Sequence, residues 1–143
     1  IWTGFDEAVR FEPSQIQRDL VDADRLGRKT GEGFYRYQSG EPAVPSARIF
    51  TLTSPVRELD DDQIVRRIQL AIINEAYLAA GEGVADPADI DRALKLGANH
   101  PYGPFERAGQ LGLRTVVEGL RDLELRYGER FRVAPPLWQV ASL

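Results

Sequence analysis

The chain has 143 residues, 43% hydrophobic and 28% charged, enough for one globular domain with a buried core. Its net charge of −4 argues against a nucleic-acid footprint, and no apolar run approaches the roughly 18 residues that span a bilayer. Cysteine is absent and His100 is the one histidine. That excludes disulfides, thiolate metal sites and zinc sites built on several histidines, and a Ser-His-Asp triad would have to use His100.

Residues 1–12 carry mixed signals. Pro13 suits the first turn of a helix, and Ile16, Leu20 and Val21 follow at helical spacing, so a short amphipathic helix is expected to run to about Ala23. From Leu26 to Tyr37 three glycines crowd into seven positions, which predicts a turn, and the aromatics after them predict a short extended segment. The turn is basic, but a Walker loop sets its lysine after the second glycine, whereas Lys29 precedes Thr30 and Gly31. A structural turn is therefore the default reading, and phosphate binding the minor one. Residues 38–46, with two prolines and no periodicity, read as a linker, and Ile49 to Leu52 as a brief extended piece.

Asp60, Asp61 and Asp62 place negative charge at a helix start, where the dipole favours it. The helix is expected from about Asp61 to Ala80, with Ile64, Ile68, Ile72, Ala76 and Ala79 or Ala80 along one stripe that Val65, Ile73 and Tyr77 widen. Asn74 and Glu75 interrupt its apolar second half. Their bland role is hydrogen bonding to neighbouring segments, and a catalytic carboxylate is the sharper alternative. Asp86 caps a second helix with Pro87 at its first position, Ile90, Ala93 and Leu94 facing inward, and Gly97 at its end. Asp89 and Asp91 are two apart and share no helix face, which weakens a metal reading. Pro101-Tyr102-Gly103-Pro104 forms a stiff corner that launches a third helix. A regular stripe from Leu113 to Tyr127, stopped by Gly128, predicts a fourth. Pro135-Pro136 can begin a last one carrying Leu137, Val140 and Leu143.

These elements make an all-α bundle after an irregular N-terminal arm. Arg10-Phe11-Glu12-Pro13 and Arg130-Phe131 with Pro135-Pro136 each precede a short helix, a faint internal echo. The chain starts at Ile1 and contains no methionine, which reads as a piece of a longer polypeptide.

Two motifs carry a family resemblance. Leu26-Gly27-Arg28-Lys29-Thr30-Gly31-Glu32-Gly33-Phe34-Tyr35 resembles the segment that closes the C-terminal domain of 3-hydroxyacyl-CoA dehydrogenases. Residues 74–113 resemble the body of that domain: NEA, EGVAD, DIDRALKLG, HPYGPFE and GQLGL, in the family's order. The resemblance covers roughly residues 5–37 and 61–140 and matches the longer bacterial members, in which two such helical domains follow a dinucleotide-binding domain. It implies that residues 1–46 are the tail of a preceding helical domain plus a linker, and that residues 47–143 are a second copy. It also implies that the full-length enzyme oxidises an L-3-hydroxyacyl-CoA to the 3-ketoacyl-CoA, passing hydride to NAD through a His-Glu pair on the nucleotide-binding domain.

Neither that pair nor a Gly-x-Gly-x-x-Gly turn is in this chain, and His100 lies in the corner motif. No catalytic, cofactor-binding or metal residue is therefore assigned here, the substrate-binding residues are left unknown, and the fragment alone is expected to be inactive and to bind no NAD. The family's asparagine that helps hold the substrate oxygen falls at about Arg66, and aspartates often seen in the family fall at Gly109 and Arg114. These departures suggest a domain kept for packing. Expected partners are acyl-CoA, through the full-length protein, and a homo-oligomer or pseudo-dimer, with neither nucleic acid nor membrane; the expected location is cytoplasmic. A non-enzymatic helical module and part of a multifunctional β-oxidation subunit are the rival readings.

Overall fold

A computed structural model of the chain describes residues 2–46 and 59–142. They belong to two compact units, Ile1–Glu58 and Leu59–Leu143. The extended piece expected at Ile49 to Leu52 lies outside the described residues.

The first unit opens with 3-10 turns at Trp2–Phe5 and Val9–Phe11, followed by helix α1, Gln15–Asp22. Ser14, not Pro13, sets the start of α1. Its hydroxyl accepts from the Gln17 N–H, and the Gln17 side chain accepts from the Ser14 N–H at 2.8 Å. This reciprocal box satisfies two of the donors a helix start leaves unpaired. Only Leu20 of α1 is buried, and Val21 turns outward, against the expectation from spacing.

Part of the expected linker proves to be a strand. β1, Tyr35–Arg36, pairs antiparallel with β2, Val44–Pro45, so that Tyr35 faces Pro45 and Arg36 faces Val44. A turn makes the pairing possible: the Glu41 N–H donates to the Gln38 carbonyl, and Gly40 takes a φ of +83° that other residues resist. Pro45 has no N–H to lose, which suits it to an edge strand.

The second unit is a helical bundle: α2, Asp61–Gly81; α3, Pro87–Gly97; α4, Pro104–Leu111; α5, Leu113–Tyr127; and α6, Pro135–Ala141. Asp60 caps α2 through a second reciprocal box with Gln63, which accounts for the acidic run as a helix start. Gly112 and Gly128 end α4 and α5 at φ of +85° and +90°.

The core gathers Leu70, Ile73, Ala108, Val116, Val117, Leu120, Ala134 and Leu137. The stripe expected on α2 is corrected in part, since its Ile73 and Ala76 are buried but its N-terminal half is not. Ile64 is 41% and Ile68 53% exposed, whereas Leu70, Ile73, Asn74 and Ala76 face inward. The helix carries two apolar faces, and the one that meets α4, α5 and α6 is the buried one. On α3, Ile90 and Leu94 are half-buried, but Ala93 is exposed, as is Val140 of α6.

The internal echo extends to backbone geometry. The 3-10 turns Val9–Phe11 and Glu129–Phe131 lie 120 residues apart, and so do the helix caps Ser14 and Ala134. The hydrogen bonds match as well. Phe11 donates to Ala8 as Phe131 does to Gly128, and Glu12 to Val9 as Arg132 does to Glu129.

Candidate functional site

The motif residues of the second unit hold helix ends. Asn74 is 5% exposed, and its amide grips the chain entering α6 from both sides. Its Nδ2 donates to the Arg132 carbonyl at 2.9 Å, and its Oδ1 accepts from the Ala134 N–H at 2.8 Å. Ala134 is the cap of α6, and Asn74 accepts from its backbone N–H as Gln17 accepts from that of Ser14 in α1. Glu75 beside it is exposed.

A second clamp sits at the corner. The cap of α4 is Gly103, again without a side chain, and the Asp91 carboxylate of α3 accepts from the Phe105 N–H at 2.8 Å and the Glu106 N–H at 3.1 Å. A Cβ at Gly103 would overlap that carboxylate, so only glycine fits. Glu106 accepts from the Gly103 N–H and from Lys95 Nζ, both at 3.3 Å. Tyr77 stacks on Phe105 with ring centroids 4.6 Å apart. Burial, and then the nearby Asp91 charge, push its phenol above the usual tyrosine range. His100 closes the turn after α3 through its backbone N–H to the Leu94 carbonyl. The role of Asp91 escaped the sequence reading. The signal available was a glycine cap before Pro104, which needs an acceptor from elsewhere.

A cleft of about 340 Å³ lies between α2 and α5. Leu59, Leu70 and Leu123 supply its apolar floor. Arg66, Arg67 and Arg126 alternate with Glu118 and Asp122 on its walls. Arg67 lies 4.0 Å from the Tyr127 ring centroid and 5.1 Å from that of Phe131, and Arg126 pairs with Asp122 at 3.0 Å. Arg66, expected from the resemblance to stand near the position of the family's substrate asparagine, is exposed on the wall near Gly119. Gly109 and Arg114, the other two departures expected from the resemblance, are both exposed. The lining holds no His, Cys, Ser, Thr or Lys.

In the first unit, Arg25, Glu32 and Ser46 form a closed triangle. Arg25 Nη2 reaches both Glu32 Oε1 and Ser46 Oγ at 2.5 Å, and Ser46 Oγ donates to the same carboxylate oxygen at 2.6 Å. The Ser46 hydrogen bond first, and then that from Arg25, hold the Glu32 carboxyl below its ordinary range.

Among the described residues no group of His, Cys, Asp and Glu is arranged to hold a metal ion, and no helix is long and apolar enough to cross a membrane. The described strands are two residues each and antiparallel, whereas a dinucleotide site needs a strand running through a glycine turn into a helix. These residues do not fit NAD.

The 3-hydroxyacyl-CoA dehydrogenase C-terminal domain model matches residues 2–37 and 64–142. The chain belongs to this family. It is 34% identical to a fatty acid oxidation complex subunit alpha of Vibrio cholerae, over 94% of this chain and 20% of that protein. It is 27% identical to the 3-hydroxyadipyl-CoA dehydrogenase of Escherichia coli K12, over 100% of this chain and 46% of that protein. The solved 3-hydroxybutyryl-CoA dehydrogenase of Escherichia coli K12 superposes with a TM-score of 0.71 at 25% identity, over 99% of this chain and 46% of that one. The family chain thus spans about a fifth of the fatty acid oxidation subunits and just under half of the Escherichia coli dehydrogenase.

Proposed function

We propose that this chain is the C-terminal helical portion of an NAD-dependent 3-hydroxyacyl-CoA dehydrogenase acting in the cytoplasm. It comprises the tail of one helical copy and most of a second. Its own task is packing: it builds a subunit or pseudo-dimer interface and helps wall the acyl-CoA cleft, while the catalytic His-Glu pair and the NAD site lie on another domain. The observation that carries this is the fate of the motif side chains. Asn74 and Asp91 are spent on helix ends, and the face left over on α2 is apolar, with Ile64, Val65 and Ile68 all more than 40% exposed. Three neighbouring β-branched side chains in water favour a covering partner. The matching turns 120 residues apart support the two-copy organisation.

The test compares acetoacetyl-CoA-dependent NADH oxidation by the longer protein with that by this chain. Turnover by the first alone is expected, and turnover by this chain alone would overturn the packing role. Replacing Ile64 and Ile68 together by Asp should leave the helical content of the chain intact and weaken assembly of the longer protein in sedimentation. Unchanged assembly would remove α2 from the interface.

A second reading rests on the similarity to fatty acid oxidation subunits. Here the chain ends a multifunctional β-oxidation subunit. An enoyl-CoA hydratase activity in the longer protein would select this reading, and its absence would select the first.

A further inference from the structure

The loop between α1 and β1 is rigid and basic in a chain of net charge −4. Thr30 Oγ1 accepts from the Leu26 N–H at 2.9 Å and reaches the Glu32 carbonyl at 3.1 Å, while the Gly27 N–H donates to that same carbonyl at 2.9 Å. The Arg25–Glu32–Ser46 triangle locks the base. A Cβ at Gly33 would fall 2.8 Å from the Gly27 Cα, so the two arms touch. Internal bonds thus hold the backbone in one shape, and its tip presents Arg28 and Lys29 to solvent.

Among the described residues, the Lys29 side chain makes no ion pair or hydrogen bond, and the Arg28 guanidinium contacts only the Tyr37 ring, 5.4 Å from its centroid. Side chains alternate along extended backbone, which puts Tyr35, 46% exposed, on the same face as Tyr37. A cation over one phenol ring, with a second exposed cation next to it in sequence and a second exposed ring, matches a ligand with phosphates and a flat base, because phosphates seek cations and bases stack on rings. A loop already fixed loses little entropy on binding.

We propose that the loop of residues 26–37 binds the phosphorylated adenosine end of coenzyme A, with Arg28 and Lys29 pairing its phosphates and Tyr35 stacking its adenine. The choice of coenzyme A over another adenine nucleotide rests on the acyl-CoA reading above. The 3′-phosphate adds charge that a dinucleotide lacks, and the Arg28 and Lys29 side chains supply the cations to meet it.

The test is amide chemical-shift mapping of the 143-residue chain with coenzyme A, adenosine 3′,5′-bisphosphate, NAD, pantetheine and inorganic phosphate. Coenzyme A and the bisphosphate should move amides 26–37, NAD should move them less, and pantetheine should not. Lys29→Gln and Arg28→Gln should each weaken binding about three- to tenfold, and Lys29→Arg should retain it. Unmoved loop amides, NAD moving them as strongly as coenzyme A, or inorganic phosphate moving them equally would overturn the proposal. In the longer protein, Lys29→Gln should raise KM for acyl-CoA and leave kcat unchanged. An active longer protein with unchanged KM sinks the loop and spares the dehydrogenase reading. An inactive one whose loop still binds the bisphosphate sinks that reading and spares the loop as an adenine nucleotide site.

Discussion

Asn74 shows how one side chain can decide an element it does not belong to. It serves two backbone groups of the chain entering α6, and truncating it would leave the Ala134 N–H buried without a partner. Asn74→Leu should therefore destabilise the second unit by about 2–4 kcal/mol, since a lost buried hydrogen bond adds the desolvation cost of the orphaned group. Thermal melts of the two proteins check this, and equal midpoints would contradict it. The equivalent position of the first unit needs no such residue, because Ser14 and Gln17 cap each other. Glu32 works through charge. Its carboxyl is depressed in the folded state, so its contribution is present above its ordinary value of 4.5 and fades as pH falls through the folded value. Between pH 6 and pH 3 the Thr30 and Ser46 amide signals should shift in the native chain, and Glu32→Gln should flatten that response.

Helix packing in the second unit depends on close approach. Gly119 of α5 is buried, and a Cβ there would fall 2.8 Å from Leu70 Cδ1 of α2. Gly119→Ala should cost about 1–3 kcal/mol through overpacking, despite the gain in helix propensity. Urea titration gives the sign, and a stabilised variant would show that α2 and α5 can part without loss. Helix boundaries were legible because they are written locally. Asp60 with Gln63 and Gly128 set their ends through cap chemistry that needs no distant partner, and Pro87 marks the start of α3 although the Asp86 side chain makes no cap hydrogen bond. The inward face of α2 was not legible, because Ile64–Ile68–Ile72 and Leu70–Ile73–Tyr77 satisfy the helical period equally well.

At the scale of the molecule, the two units differ in what holds them. The described part of the first buries one large apolar side chain, Leu20, and leans on hydrogen bonds and the Arg25 triangle. The second buries a continuous core of eight residues. Small cores support little stability, so the first unit should unfold at lower denaturant. Each unit carries one tryptophan, Trp2 and Trp138. Single-tryptophan variants should report separate transitions, the Trp2 signal moving first, and coincident curves would show one cooperative body.

The sequence by itself determined the helical class, the positions of most caps and the family, since capping residues, glycine stops and ordered motifs act over a few neighbouring residues. Only the tertiary structure decided which face of α2 is buried, that Val44–Pro45 is a strand, and that Asn74 and Asp91 close the ends of other helices. Those outcomes depend on groups as far apart as 58 and 60 residues in sequence, and a local pattern carries no information about what the chain brings beside it.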